Sequence, residues 1–598
     1  MRFTFRIGAQ AGAGVMVTGR MLGRCFTRTG YNVLAYPEYP SLVRGGHNVY
    51  QVIIGDENVS SPDYKCDLLL ALNKDAIFYH KDAMSEKGMI IYDKEIDATQ
   101  FKVKEGITLL PLPINELLQK AGGTALMANA LQIGAALAAI HYPLDVFEQV
   151  LRDEFGRKGE DVVTQNIAAA KAGYDYVKQN AKPVATVKPH GSKKQYLLLG
   201  NEAIALGAVK AGMKFYSAYP MTPSSGILHY LCENEREFGI IVKQTEDEIA
   251  AVNEAIGASY TGVRAATGSS GGGFALKTEA VSLAGMTETP LVVFLSQRPG
   301  PSTGLPTWTE QGDLRMALHS GQGDFIRVLL APGDINEAYG MAAEAFNLAE
   351  KYQLPVILLS DKFLSESIFS TPELPEVRID RGKIATKLKY LEPNTRFARY
   401  KLEKDGVSAR VFPGTPNGMH VASSYEHDET GFSSELFSNR KLQSDKRMVK
   451  MKKLLKDLPL PEVFGDPNAD VLLVTWGSMK MPAREAVERL AKAGKKVKLL
   501  QFSCVYPLDA RRIKQLLKAN HTIMIENNAT GQFAGLLREA CGWKPNFLML
   551  KYTGRPFYAE EIADEVGKLM DSGFKSSRTI RVLDRENLEY YNPKKHGL

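Results

Sequence analysis

Short apolar runs alternate with stretches of helical period along most of the chain. In the first part the runs are FTFRIGA, YNVLAY, VYQVIIG, DLLLAL and GMIIYD. Val, Ile, Tyr and Phe dominate them, side chains that suit a pleated surface. This alternation predicts an α/β domain with a largely parallel sheet over residues 1–180. Apolar residues run almost unbroken from Gly123 to Ile140, but Asn129, Gln132 and many small residues sit among them. That predicts a buried, closely packed helix rather than a membrane span.

Residues 181–195 lose the apolar period and carry prolines and lysines, which predicts a linker. A second α/β region covers 196–368, with strand candidates MKFYSAYP, GIIVKQT, VRAATG, PLVVFLS, FIRVLLA and PVILLSD. Residues 369–465 are Pro-rich, then long, polar and irregular, as a connecting or covering segment would be. The α/β pattern returns over 466–598 with ADVLLVTWGS, KKVKLLQFS and HTIMIEN.

Composition narrows the classes. The chain has 598 residues, 44% hydrophobic and 24% charged, and a net charge of +7. That is a multidomain globular balance with a mild basic excess, compatible with anionic ligands or an acidic partner. It falls short of the basic density of a nucleic-acid-binding module, and no groove-reading motif is present. The N-terminus has no apolar run suited to a signal peptide. The five cysteines, Cys25, Cys66, Cys232, Cys504 and Cys541, form no C-x-x-C pair. They predict reduced thiols in a cytoplasm, no zinc site and no four-cysteine iron–sulfur cluster in this chain.

Six stretches carry candidate chemistry, each with a bland alternative. GAQAGAGVMVTG follows a strand, so Gly8, Gly12 and Gly14 suit either an anion site at a helix start or a tight packing turn. Val17 stands where a dinucleotide fingerprint needs its third glycine. YPEYPSLVRGGHN places Arg44, Gly45, Gly46, His47 and Asn48 in a loop between strands. It is either an anion clamp or a solvated turn with a structural histidine. In YPMTPSSG, Tyr219 and Thr222 each precede a proline and are held extended. Ser224 or Ser225 is then placed to cap the next helix.

In QTEDEIAAVNEAIGASYTG, the acids Glu246, Asp247 and Glu248 open a small-residue helix. They are dipole-favoured caps, or one of them reaches into a dry cleft. TGSSGGG puts Ser269, Ser270 and Gly271 between a strand and a helix, a geometry for close ligand approach or tight packing. The long loop from Ser296 to Asp324 carries Arg298, Trp308, Gln311, Asp313, Arg315 and His319. Long ordered loops inside compact domains are usually functional.

Taken together, YPMTPSSG, Q-x-E-x-E-I-A-A, GASYTG-x-R, TGSSGGG and GPSTGLPT-x-x-EQGDL resemble the α subunit of a 2-oxoacid:ferredoxin oxidoreductase. Its nearest type is the 2-oxoglutarate enzyme. The first 180 residues resemble that family's γ unit through YPEYPSLVRGGHN, and ENNATGQ with GRPF resemble its transketolase-like C-terminal domain. The resemblance implies an α/β fold in three parts: a γ-type α/β domain, a pyrimidine-type thiamine-diphosphate-binding domain, and a transketolase C-terminal-like domain. It implies oxidative decarboxylation of a 2-oxoacid to acyl-CoA and CO₂, with electrons to ferredoxin, or the reverse carboxylation.

Carried over, Glu248 would pair with the aminopyrimidine, with Glu246 as runner-up. Tyr219, Pro220, Ser269, Ser270 and Gly271 would line the cofactor. Thr222, Ser224, Arg298, Trp308 and Arg315 would face the substrate, and Arg44, Gly45, Gly46 and Asn48 would contact coenzyme A. No G-D-G diphosphate motif and no cluster cysteines are found. The resemblance therefore implies a β subunit that brings the diphosphate site, Mg²⁺ and a [4Fe-4S] cluster, in an (αβ)₂ assembly. Trp308 departs from the family, many of whose members carry a basic residue there. A bulky indole suits an apolar substrate side chain, with Arg298 and Arg315 as candidate replacement anchors. The alternatives are an indolepyruvate or branched-chain 2-oxoacid enzyme, or a non-catalytic partner chain.

Overall fold

The computed structural model describes residues 1–42, 46–191, 195–388 and 396–584, and organises them on three sheets. The first sheet has eight strands. One half is parallel: Thr108–Leu112, Met84–Asp93, Cys66–Ala71 and Arg2–Gln10. The other half is antiparallel: His47–Gly55, then Asn32–Glu38, then Ile368–Thr371 and Tyr196–Leu199. The expected largely parallel sheet is thus mixed. Eight residues, 39–46, join Asn32–Glu38 to His47–Gly55, too few for a parallel crossover. Two strands from beyond residue 180 complete its far edge, so the second region is built directly onto the first.

The apolar stretch from Gly123 forms a helix over Ala128–Ala139 that packs against the helix Glu160–Asn180. The approach is close enough that a Cβ on Gly134 would meet the Ala170 carbonyl oxygen at 2.0 Å. The start of the following segment is tied down rather than free. The Val184 and Val187 amides donate to the Ala139 and Ile140 carbonyls, and the Gly191 amide donates to Thr29.

The second sheet is the one that positions the site. Its order is Cys504–Tyr506, Val328–Leu330, Pro355–Asp361, Leu291–Gln297, Arg264–Ser269, Met213–Ala218, Ile241–Gln244. All neighbours are parallel except the edge strand Cys504–Tyr506, which comes from the C-terminal region. Its interior strands are buried on both faces, as parallel sheets require. The third sheet runs Glu462–Gly465, Val497–Phe502, Val471–Trp476, His521–Glu526, Phe547–Leu550, Thr579–Arg581, with only the first strand antiparallel.

Within the connecting segment the helix Phe437–Val449 brings Lys446, together with Lys450 just beyond it, onto the buried Glu288. Among the described residues no helix is long and apolar enough to cross a membrane, and no cluster of three acidic, His or Cys side chains is arranged to hold a metal ion.

Candidate functional site

Four loops gather at the carboxyl edge of the second sheet, after the parallel strands Ile241–Gln244, Met213–Ala218, Arg264–Ser269 and Leu291–Gln297. Open parallel sheets present ligand sites at this edge.

The loop after Met213–Ala218 is held by its carbonyls. Arg298 Nη1 donates to the Thr222 carbonyl at 2.7 Å, and Asn201 Nδ2 donates to the Pro223 carbonyl at 2.8 Å. No described residue bonds the Thr222 hydroxyl. Tyr219 stands at the exposed rim with Pro220 half-buried beside it. Ser224 departs from expectation. It takes the N-cap position of the helix Ser225–Glu233 with its carbonyl accepting from the Ile227 amide, but its side chain does not cap; the hydroxyl is buried beside the Tyr216 hydroxyl oxygen beneath Gly268.

The acidic loop resolves into separate tasks. Asp247 is the helix cap, accepting from the Ala250 amide at 2.7 Å. Glu246 is exposed. Glu248 opens the helix Glu248–Tyr260 with 4% of its surface exposed, and its Oε1 is buried without a hydrogen-bond partner. Two more buried oxygens lack partners nearby, Ser270 Oγ and Asp313 Oδ2. All three surround one glycine turn. A Cβ on Gly273 would lie 2.3 Å from Glu248 Oε1, and one on Gly271 would lie 2.5 Å from the Asp313 carboxylate. Ser269 is buried at the end of its strand, beside Gly273. Unsatisfied buried acceptors are rare in a native fold and mark places where a partner is missing.

Burial also shapes the charges. It pushes the Asp313 carboxyl up to about 6, with the Arg298 guanidinium opposing. It pushes Glu310 up to about 7, helped by Asp313. Burial lowers Arg298 from its usual value, with Asp313 opposing.

The long loop divides its residues. Trp308 lies under the Arg555 guanidinium, 5.1 Å from carbon to ring centroid, a cation–π contact. Arg555 also pairs with Glu38 at 3.2 Å and with Asp584 at 3.3 Å. Thr307 Oγ1 donates to the Tyr39 carbonyl at 2.7 Å, so the YPEYP segment of the first region touches this loop directly. Arg315 does not join the site. Its guanidinium is engaged by both Glu539 oxygens, at 2.7 and 2.9 Å, because the short helix Leu314–Leu318 turns it toward the C-terminal domain.

Of the candidate coenzyme A contacts, Arg44 and Gly45 lie outside the described residues. Gly46 has φ +71° and packs against Pro40. His47 and Asn48 are not in a loop; they open a strand paired with Gln10 and Ala9, which puts them beside the Gly12–Gly14 turn. His47 is buried, with its Nε2 2.8 Å from His80 Nε2, and burial lowers its pKa to about 3.

Gln311 and Glu526 were visible within their motifs but without an assigned task, and Lys277 was not singled out. Gln311 stitches the loop to ENNATGQ: its amide donates to the Asn527 carbonyl at 2.7 Å and its Nε2 to the Trp476 carbonyl at 3.0 Å. Glu526 is buried and accepts from the Phe533 and Ala534 amides, each at 2.9 Å. The Asn-rich ENNATGQ was the available signal. Lys277, fully buried below Glu248 in the turn between the helices Gly271–Ala275 and Thr278–Met286, had none beyond its place after TGSSGGG.

Family models match three segments: pyruvate flavodoxin/ferredoxin oxidoreductase, thiamine-diphosphate-binding, over residues 206–442; pyruvate ferredoxin/flavodoxin oxidoreductase over 4–176; and the transketolase C-terminal domain over 464–540. The α subunit of 2-oxoacid:ferredoxin oxidoreductase 2 from Aeropyrum pernix is 31% identical, covering 95% of this chain and 97% of its own. The 2-oxoglutarate oxidoreductase subunit KorA of Mycobacterium tuberculosis is 31% identical over 89% of this chain and 86% of its own. The solved 2-oxoglutarate:ferredoxin oxidoreductase of Magnetococcus marinus, with 2-oxoglutarate, coenzyme A and succinyl-CoA bound, superposes with a TM-score of 0.87 at 32% identity. It covers 95% of this chain and 99% of that one. With the loops of one sheet edge aligned on a single glycine turn and these matches running nearly end to end, the chain belongs to the α subunits of the 2-oxoacid:ferredoxin oxidoreductases.

Proposed function

We propose that this chain, with a partner subunit, converts a 2-oxoacid, coenzyme A and two oxidised ferredoxins to acyl-CoA, CO₂, two reduced ferredoxins and a proton, or runs the reverse carboxylation. The single observation that carries the reading is Glu248 Oε1, buried and unpartnered against the Gly271–Gly273 turn.

The residues fit the aminopyrimidine half of thiamine diphosphate. A pyrimidine nitrogen bearing a proton would satisfy Glu248, and an exocyclic amine would suit the free Ser270 and Asp313 oxygens. Thiamine diphosphate, when bound, supplies the carbanion chemistry of decarboxylation. This chain's residues do the rest from their own side. Glu248 holds a proton at a pyrimidine nitrogen inside a water-poor turn, where charge interactions are strong. Arg298 fixes the Thr222 carbonyl, so the Thr222 hydroxyl and the guanidinium face a carboxylate substrate together. The Gly12–Gly14 turn with Gly46 and Asn48 is a coenzyme A contact. The partner subunit brings the diphosphate and Mg²⁺ site and the [4Fe-4S] cluster, in an (αβ)₂ assembly in the cytoplasm.

2-Oxoglutarate is the substrate supported by the relatives' names. One observation favours a second reading, an apolar or aryl 2-oxoacid. At position 308 an indole stands, and the cation above it is already matched by Glu38 and Asp584. The test is reduction of ferredoxin by the co-expressed complex with 2-oxoglutarate, pyruvate, branched-chain and aryl 2-oxoacids, beside Glu248→Gln. Turnover that collapses in Glu248→Gln supports the reading, and the preferred acid decides between the substrates. No turnover with any acid, in a complex shown to carry its cofactor and cluster, overturns it.

A further inference from the structure

Lys277 is a fully buried ammonium whose two hydrogen-bond partners are neutral. Its Nζ donates to the Glu248 carbonyl and to Thr267 Oγ1, each at 3.0 Å. A charge buried on neutral acceptors is costly, and an apolar side chain would fill the same space more cheaply. Position explains its presence. Thr267 lies on the strand Arg264–Ser269, whose end carries Ser269 and Ser270. Glu248 begins the neighbouring helix. Lys277 therefore bolts the two walls of the glycine turn together from below. The acidic groups in its electrostatic reach are Glu248 and Asp247. Asp247 is occupied as the helix cap, while Glu248 keeps a free carboxylate oxygen.

We propose that Lys277 is a positioning residue for Glu248: it clamps the first turn of the Glu248 helix to the strand Arg264–Ser269 and places a positive charge behind the carboxylate. The inference rests on the reading that Glu248 faces the aminopyrimidine. With thiamine diphosphate bound, that charge would help Glu248 hold a shared proton on the pyrimidine nitrogen, an N–H bond formed at the expense of the carboxyl O–H. Burial lowers the Lys277 amine to about 8, with Glu248 and Asp247 opposing, so it is charged at neutral pH.

The test uses the complex co-expressed with its partner subunit and loaded with thiamine diphosphate, without 2-oxoacid or ferredoxin. The readout is hydrogen–deuterium exchange at C2 of the bound cofactor after acid quench, with cofactor affinity measured by calorimetry. Lys277→Met removes charge and donors, Lys277→Gln keeps a donor without charge, and Glu248→Gln is the reference. Both Lys277 variants should slow exchange about tenfold or more, with affinity changed only a few-fold, and Glu248→Gln should slow it about a hundredfold. Wild-type exchange in Lys277→Gln, with Glu248→Gln slow, overturns the charge role. Loss of cofactor from both Lys277 variants overturns it too. Wild-type exchange in Glu248→Gln overturns the reading beneath it, and this inference with it. Where Lys277→Met does not fold, Lys277→Gln decides.

Discussion

Gly273 and Glu248 are fitted to each other: a Cβ on Gly273 would stand 2.3 Å from Glu248 Oε1 and 2.2 Å from Ser269 Oγ. Gly272, one residue earlier, faces out, and its added Cβ would find nothing nearer than the Ser302 carbonyl at 3.9 Å. Both sit in the helix Gly271–Ala275 without positive φ, where alanine is otherwise the better helix former. Gly273→Ala should therefore destabilise by about 1–3 kcal/mol and weaken cofactor binding. Gly272→Ala should be neutral or stabilising by up to about 1 kcal/mol. Thermal melting of the two variants side by side checks the contrast.

Arg298 reaches across the cleft to the Thr222 carbonyl at 2.7 Å. Arg298→Met removes this bond and the cation that would meet a substrate carboxylate. Hydrogen bonds to charged groups are worth about 1.5–3 kcal/mol, so kcat/KM should fall about ten- to a hundredfold or more. Arg298→Lys should recover only part of the loss, because an ammonium lacks the guanidinium's fixed fork. Steady-state kinetics on the complex, with both variants melting like the parent, measures it.

The two walls of the cleft differed in how far their residues could be read in advance. The acids at 246–248 were visible, but their pattern alone could not separate a cap from a buried carboxylate. The helix frame separates them, because it starts at Glu248, makes Asp247 the cap and leaves Glu246 in solvent. Arg315 misled for the same reason. Its neighbourhood in EQGDL is a fact of sequence, but one short helical turn sends it to Glu539. Lys277 looks like an ordinary surface lysine on a helix until the strand beneath it is known. The strands themselves were legible from their apolar runs. What no local pattern carries is that Tyr196–Leu199 and Ile368–Thr371 pair with the first sheet, since that register joins residues far apart in the chain.

Asp313 gives the fold a pH dependence of unusual sign. Burial raises its carboxyl to about 6 from an ordinary 3.8. Between those values the folded chain holds a proton that the unfolded chain has lost. This contribution to stability is therefore complete at low pH and falls as pH rises through the window. Asp313→Asn keeps the shape and removes the ionisation. It should match the parent near pH 4 and exceed it above pH 6, by on the order of 1–3 kcal/mol. Melting temperatures of both proteins across this range test it, and parallel curves would rule the effect out.

Glu288 anchors the covering segment. It is fully buried with φ +49°, and its carboxylate meets both Lys446 and Lys450 while Arg399 Nη2 donates to its carbonyl at 2.9 Å. Three cations hold its carboxyl well below the usual carboxylate range despite burial. A pair of this kind adds little over a good apolar packing, but breaking it leaves charge buried without compensation. Glu288→Gln strands two ammonium groups and should cost about 3–5 kcal/mol, whereas Glu288→Gln combined with Lys446→Met and Lys450→Met should recover much of it. The loss should appear locally first. Limited proteolysis should cut the variant between residues 396 and 450 at denaturant concentrations where the parent resists, with the sheets still protected. Equal cutting of parent and variant would mean the segment is held by its apolar contacts and not by this cluster.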